Sequence, residues 1–185
     1  MYAVHHYRYQ PDEPQWRDYR CLLSEQLPRE IRPWLLDRGS LTARLVRASG
    51  GDFRVQVLEQ SWQCPRGSER HLLDMGERKR AIIREVLLIC RGEPWVFARS
   101  VLPAASLEGR LRHLRKLKDS ALGALLFSDP SMQRAPYEVA TIAGDDSALP
   151  PAVRTDTTLW GRRSCFFLGG LPLMVSEIFL PAFRP

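Results

Sequence analysis

Ala81-Ile82-Ile83-Arg84-Glu85-Val86-Leu87-Leu88-Ile89-Cys90-Arg91, then Gly92-Glu93-Pro94, then Trp95-Val96-Phe97-Ala98-Arg99-Ser100-Val101-Leu102 is the stretch that decides the fold. The first run is dense in Ile, Val and Leu and is bounded by turn formers, so it reads as a strand. The second run has the same character and returns after a short Gly/Pro connection. Two strands joined so tightly pair antiparallel. Pro103 closes the hairpin.

Working outward, a second hairpin ends the chain. Arg162–Leu168 and Leu171–Leu180 flank Gly169-Gly170, a pair suited to a two-residue turn with positive φ. Phe53–Gln60 alternates and reads as a strand, as does Tyr137–Ala143. Residues 16–49 read as helical pieces broken by Pro28 and Pro33. Ser40 is placed to cap a helix over Leu41–Ala48, and Gly50-Gly51 to end it. Ser61–Glu77 reads as a loop or flap. Leu107, Leu111, Leu114 and Leu117 predict a helix over Leu107–Lys118 with a solvated basic face. A short helix over Ala121–Phe127 follows, with Ser120 as its cap. Gly144–Thr158 reads as an exposed loop. The expectation is an α+β single domain over 1–185: an antiparallel sheet of about six strands with helices on one face. Residues 1–15 are expected to form a mobile terminal segment, with His5 and His6 on the surface.

Composition narrows the classes. The 185 residues carry 27 Lys+Arg against 21 Asp+Glu, a formal charge of +6. This length suits one core. The charge admits an anionic partner without naming it. All but three of the cations are Arg, the better residue for a two-pronged grip on a carboxylate. Met1–Gln10 has no signal-peptide core, and no apolar run reaches the roughly 20 residues of a membrane helix. Cys21, Cys64, Cys90 and Cys165 are scattered, with neither a metal-ligand spacing nor a Cys-x-x-Cys pair. Reduced thiols in the cytoplasm are the expectation. No nucleophile elbow, phosphate-cradling loop or dinucleotide fingerprint is present.

The informative residues are charges on apolar strand faces. Alternation puts Arg84 with Val86, Leu88 and Cys90, and Glu177 with Leu173, Val175 and Phe179. Arg99 likewise aligns with Phe97 and Val101. A buried charge needs a partner. Counting back from a Gly169-Gly170 turn sets Arg162 opposite Glu177, a favourable cross-strand pair. Glu177 therefore has two readings. One is a structural ion pair. The other is an apolar cavity with arginines and a carboxylate pointing inward, suited to a small organic acid.

These residues carry a resemblance. Ile83-Arg84-Glu85-Val86-Leu87-Leu88, Gly92-Glu93-Pro94-Trp95 and Ala98-Arg99-Ser100-Val101-Leu102-Pro103 resemble the chorismate pyruvate-lyases. So do Leu122-Gly123 with Leu126-Phe127, Leu159-Trp160-Gly161-Arg162-Arg163-Ser164, and Glu177-Ile178-Phe179-Leu180-Pro181. The match is dense from Ile83 to Pro181 and looser before it. The Gly144–Thr158 loop is longer than the family's usual link. The resemblance implies conversion of chorismate to 4-hydroxybenzoate and pyruvate at the entry to ubiquinone biosynthesis. It implies no metal or organic cofactor, and an internal site beneath flaps. By motif position it assigns Arg84 to the product carboxylate and Glu177 to the 4-hydroxyl end, the two expected catalytic residues. Leu122 and Leu41 become ligand contacts, and Arg99 is expected to face the site or its entrance. A cytoplasmic monomer with no nucleic-acid partner and no membrane insertion completes the expectation. The rival from another class is a non-catalytic module binding a small-acid effector on the same fold. Regulators of that kind carry a helix-turn-helix domain, for which the residues before 16 leave no room.

Overall fold

The computed structural model describes residues 13–22 and 27–185. Its frame is one antiparallel sheet. In chain order the strands are β1 (Arg17–Asp18), β2 (Phe53–Gln63), β3 (Ala81–Cys90), β4 (Glu93–Pro103), β5 (Met132–Arg134), β6 (Glu138–Ile142), β7 (Leu159–Leu168) and β8 (Leu171–Phe179). They lie in the order β1-β6-β7-β8-β4-β3-β2, with β5 also pairing β7. The count among the described residues is eight, against the six expected. The extra two, β1 and β5, hold two and three residues, too few for alternation to show.

The two hairpins are both present. Gly169 and Gly170 take φ of +57° and +82°, and Leu168 faces Leu171 as counted. The first turn sits one residue earlier than Gly92-Glu93-Pro94 implies. Arg91 and Gly92 take the positive φ values, and Glu93 and Pro94 already belong to β4. Trp95 is then an extra residue in the ladder: Ile89 pairs Pro94, but Leu88 pairs Val96. Such a bulge reverses which face the following residues occupy.

Four helices pack against this sheet: α1 (Arg32–Leu35), α2 (Leu41–Ala48), α3 (Gly67–Leu72) and α4 (Leu122–Ser128). Ser40 caps α2 as expected, its Oγ accepting from the Ala43 amide at 3.3 Å. Ser120 does not cap α4, because its neighbour Ala121 holds that position. Among the described residues of 16–49, β1 stands near the start, Tyr19–Cys21 form one 3-10 turn, and the α-helical parts are α1 and α2. Residues 109–116 form a 3-10 helix instead of an α-helix. Leu111, Leu114 and Leu117 recur every three residues, and three per turn sets them on one buried stripe.

Both faces of the sheet are covered, which corrects the one-sided expectation. The front face carries α1, α2, α4 and the 3-10 helix. There Leu45, Val86, Leu88 and Trp95 form one core, and Leu102, Leu111, Leu114, Leu126 and Phe166 another. The back face carries the stretch read as a flap. Residues 61–63 extend β2, and α3 follows, closed by Glu69 reaching back to the Arg66 amide at 2.9 Å. Gly144–Thr158, read as exposed, buries Leu149 and Val153 on the same face against Leu87, Phe97 and Ile178. His5 and His6 lie outside the described residues. Glu13, expected to be mobile, binds the amides of Gly67 and Ser68 at 3.0 and 3.1 Å.

Candidate active site

Front-face alternation on β3, β4, β7 and β8 points Arg84, Ala98, Ser100, Arg162, Phe166, Val175 and Glu177 toward the helices. With Leu41, Thr42, Leu122, Leu126, Phe127 and Arg134 they line a cavity. Its walls are mainly aliphatic and aromatic. That character suits a small ligand with an apolar body and a few charged groups.

Arg84 is 1% exposed. Its Nη2 donates to the carbonyls of Lys118 and Ser120 at 2.8 and 2.9 Å, tying the segment that leads into α4. Its Nε is buried without a hydrogen-bond partner among the described residues. Burial pushes its proton affinity down, opposed by Asp119. Arginine nevertheless stays charged at any working pH. A buried guanidinium with an orphaned donor and no carboxylate pair is costly unless something anionic completes it.

Arg162 faces Glu177 across β7 and β8, with its Nε donating to Glu177 Oε2 at 2.7 Å. Its Nη1 donates to the carbonyls of Trp34 and Asp37. The counted ion pair therefore exists, and both partners also line the cavity. Glu177 is thus an ion-pair partner and a cavity-lining residue at once. Arg84 and Glu177 stand two strands apart, roughly 10 Å across the sheet at ordinary spacing.

Leu41 and Leu122 are the first residues of α2 and α4, where amides have no acceptor within their own helix. The two helices close over the cavity at Gly123. A Cβ there would lie 2.9 Å from Thr42 Oγ1, so the contact requires glycine or a shift.

Arg99 does not join them. The bulge at Trp95 sets Ser100 opposite Arg84 and Arg99 opposite Glu85, so Arg99 points to the back of the sheet. There its Nε donates to Glu69 Oε1 at 2.7 Å and its Nη1 to Glu85 Oε1 at 2.8 Å. Burial pulls its proton affinity down, but the two carboxylates outweigh it. For Glu69, burial pushes the pKa up and Arg99 more than reverses it. Arg163 also faces back, bonded to Glu138 at 2.5 Å and to Ser68. This paired network is a structural one.

Arg134 is the residue missed from sequence. It lines the cavity from β5, with its Nε and Nη2 bonded to Ser164 Oγ at 3.0 and 2.7 Å. Its Nη1 reaches the carbonyls of Asp37 and Arg38. Among the described residues it makes no ion pair. The cavity thus holds three arginines and one glutamate. Arg162 and Glu177 neutralise each other, and Arg84 and Arg134 make no ion pair among the described residues.

The comparisons agree with this chemistry. The family model described as chorismate lyase matches residues 16–184. A probable chorismate pyruvate-lyase of Azoarcus sp. is 47% identical, over 83% of this chain and 85% of that one. Similarly named proteins of Pseudomonas aeruginosa and Methylococcus capsulatus are 44% and 42% identical, over 82% of this chain in each case and 84% and 95% of theirs. Among solved structures, the effector domain of PhnF from Mycobacterium smegmatis matches with a TM-score of 0.56 at 16% identity, over 79% of this chain and 91% of that one. The ligand-binding domain of a putative GntR-family regulator from Bordetella bronchiseptica matches at 0.52 and 14%, over 71% and 86%. At those identities the likeness is one of fold alone.

Proposed function

We propose, from the premise that this chain belongs to the chorismate lyase family, that the front cavity converts chorismate to 4-hydroxybenzoate and pyruvate. The family relation carries the reaction. The observation that carries the site is Arg84: a buried, unpaired guanidinium with an orphaned Nε, aimed into an apolar cavity that also holds Glu177. A carboxylate on Arg84 supplies the missing acceptor. Glu177, across the cavity, contacts the 4-hydroxyl. A para-substituted ring then lies between the aliphatic walls, with Leu41 and Leu122 meeting it from the two helix starts.

The chemistry asks for placement more than for a strong reagent. The ether bond at C3 breaks and its electrons leave with the enolpyruvate. The C4 hydrogen departs as a proton, and the enolpyruvate methylene gains one to become pyruvate. The ring becomes aromatic, which supplies much of the driving force. The protein's part is to hold the reacting conformer and to meet the charge developing on the leaving group. The α2–α4 contact lies over the cavity, so product release through it is expected to limit turnover.

On this reading the chain acts at the entry to ubiquinone biosynthesis, as a cytoplasmic enzyme. Its four free cysteines support that compartment. Among the described residues no helix is long and apolar enough to cross a membrane. The direct test is incubation of purified protein with chorismate. Equal amounts of 4-hydroxybenzoate and pyruvate are expected, above the spontaneous rate. Neither product above that rate, with saturable binding of a small acid, would support the effector-module reading instead.

A further inference from the structure

Chorismate carries two carboxylates, and Arg84 accounts for one. We propose that Arg134 is the anchor for the second: it holds the carboxylate of the enolpyruvyl group and stays with it as that group leaves. The proposal rests on the lyase reading of this cavity and assigns a residue that the resemblance does not.

Position carries the argument. Arg134 lies on β5, which pairs β7, and Arg84 lies on β3; β7, β8 and β4 stand between them. The two unpaired cations therefore enter the cavity from opposite sides. Glu177, on β8, falls between them, with Arg134 beyond it as seen from Arg84. If the ring carboxylate sits on Arg84 and the 4-hydroxyl on Glu177, the substituent at C3 is directed to the Glu177 end. That is where Arg134 waits.

The state of Arg134 fits a ligand role better than a structural one. Its hydrogen-bond partners are one hydroxyl and two carbonyls, all neutral, and its guanidinium lies over the rings of Tyr137 and Phe166. Of the buried arginines of the sheet, Arg99, Arg162 and Arg163 each hold a carboxylate, whereas half-buried Arg134, like buried Arg84, holds none. Ser164 and the Asp37 and Arg38 carbonyls fix the guanidinium plane and leave an Nη2 hydrogen for the cavity. A cation fixed in this way stabilises negative charge as it grows on the departing enolate, with little reorganisation.

The product separates Arg134 from Arg84, because 4-hydroxybenzoate has the ring carboxylate and lacks the enolpyruvyl one. Arg134→Gln should lower kcat/KM for chorismate at least 100-fold while changing the Kd for 4-hydroxybenzoate less than threefold. Arg134→Lys keeps the charge without the fork and should fall between, near tenfold, with the same unchanged product affinity. It also provides the reading if the Gln variant does not fold. Unchanged kcat/KM in a folded variant overturns the proposal, and so does an equal loss of turnover and product affinity. Wild-type protein that binds 4-hydroxybenzoate but never turns over chorismate overturns the lyase reading itself, independently of either variant.

Discussion

Glu177 does two things from one position. Its Oε2 neutralises Arg162, which is 1% exposed, while the residue also lines the cavity. Glu177→Gln keeps the shape and removes the charge. Losing a charged hydrogen bond to the 4-hydroxyl is worth about 1.5–3 kcal/mol, so kcat/KM should fall by roughly 10- to 150-fold. Near-normal turnover would leave Glu177 a structural partner of Arg162 only. This residue and Arg84 are legible in the sequence because β3 and β8 are long enough for alternation to expose a charge among aliphatics. Arg99 looks like a third case, but a single extra residue decides it. Continuing the ladder from Ile89–Pro94 would set Arg99 opposite Arg84; the bulge at Trp95 sets Ser100 there and sends Arg99 to the back. Arg134 is hidden for a different reason. Its strand has three residues, and its place in the cavity depends on pairing with β7, about thirty residues away in sequence.

Among the elements, the long hairpin strands and α2 are readable because propensity, turn chemistry and capping agree along each of them. The misread elements are those whose form is set by tertiary contact. Helix α3 has six residues and little apolar pattern. What holds it is Glu13 on its first amides and Glu69 on Arg99. The 107–118 segment satisfies both a 3.6 and a 3.0 period in its leucines, and burial of Leu111, Leu114 and Leu117 selects the tighter form. The contact with most functional weight joins α2 to α4. Gly123→Val places a branched side chain where even a Cβ would meet Thr42. Overpacking of this kind costs about 1–3 kcal/mol, a fall of several degrees in Tm for a chain of this size. Because the strain falls on the cover of the cavity, the release rate of 4-hydroxybenzoate in stopped flow should rise as well. A variant with unaltered Tm and release would mean that the two helices do not close the site.

For the molecule as a whole, the sheet is a partition. Its back holds the Arg99–Glu69, Arg99–Glu85 and Arg163–Glu138 pairs, and its front holds, beside the Arg162–Glu177 pair, Arg84 and Arg134 without a carboxylate partner. The formal charge of +6 says little by itself; the part we propose to be functional is Arg84 and Arg134. The back-face network makes a pH prediction. Arg99 holds Glu69 below the ordinary carboxylate range in spite of burial. The stability it adds is present above the unfolded pKa, about 4.3, and is lost as pH falls through the folded value. Glu69→Gln should therefore cost about 3 kcal/mol in urea unfolding at pH 7, and the gap to wild type should narrow below pH 4. A gap that is constant with pH would show that Arg99 does not depend on that charge. The front-face claim is tested most directly by titrating 4-hydroxybenzoate into the wild type and Arg84→Ala. The account predicts one site per chain, weakened by about 2–5 kcal/mol in the variant. Equal affinity in the two proteins would contradict it.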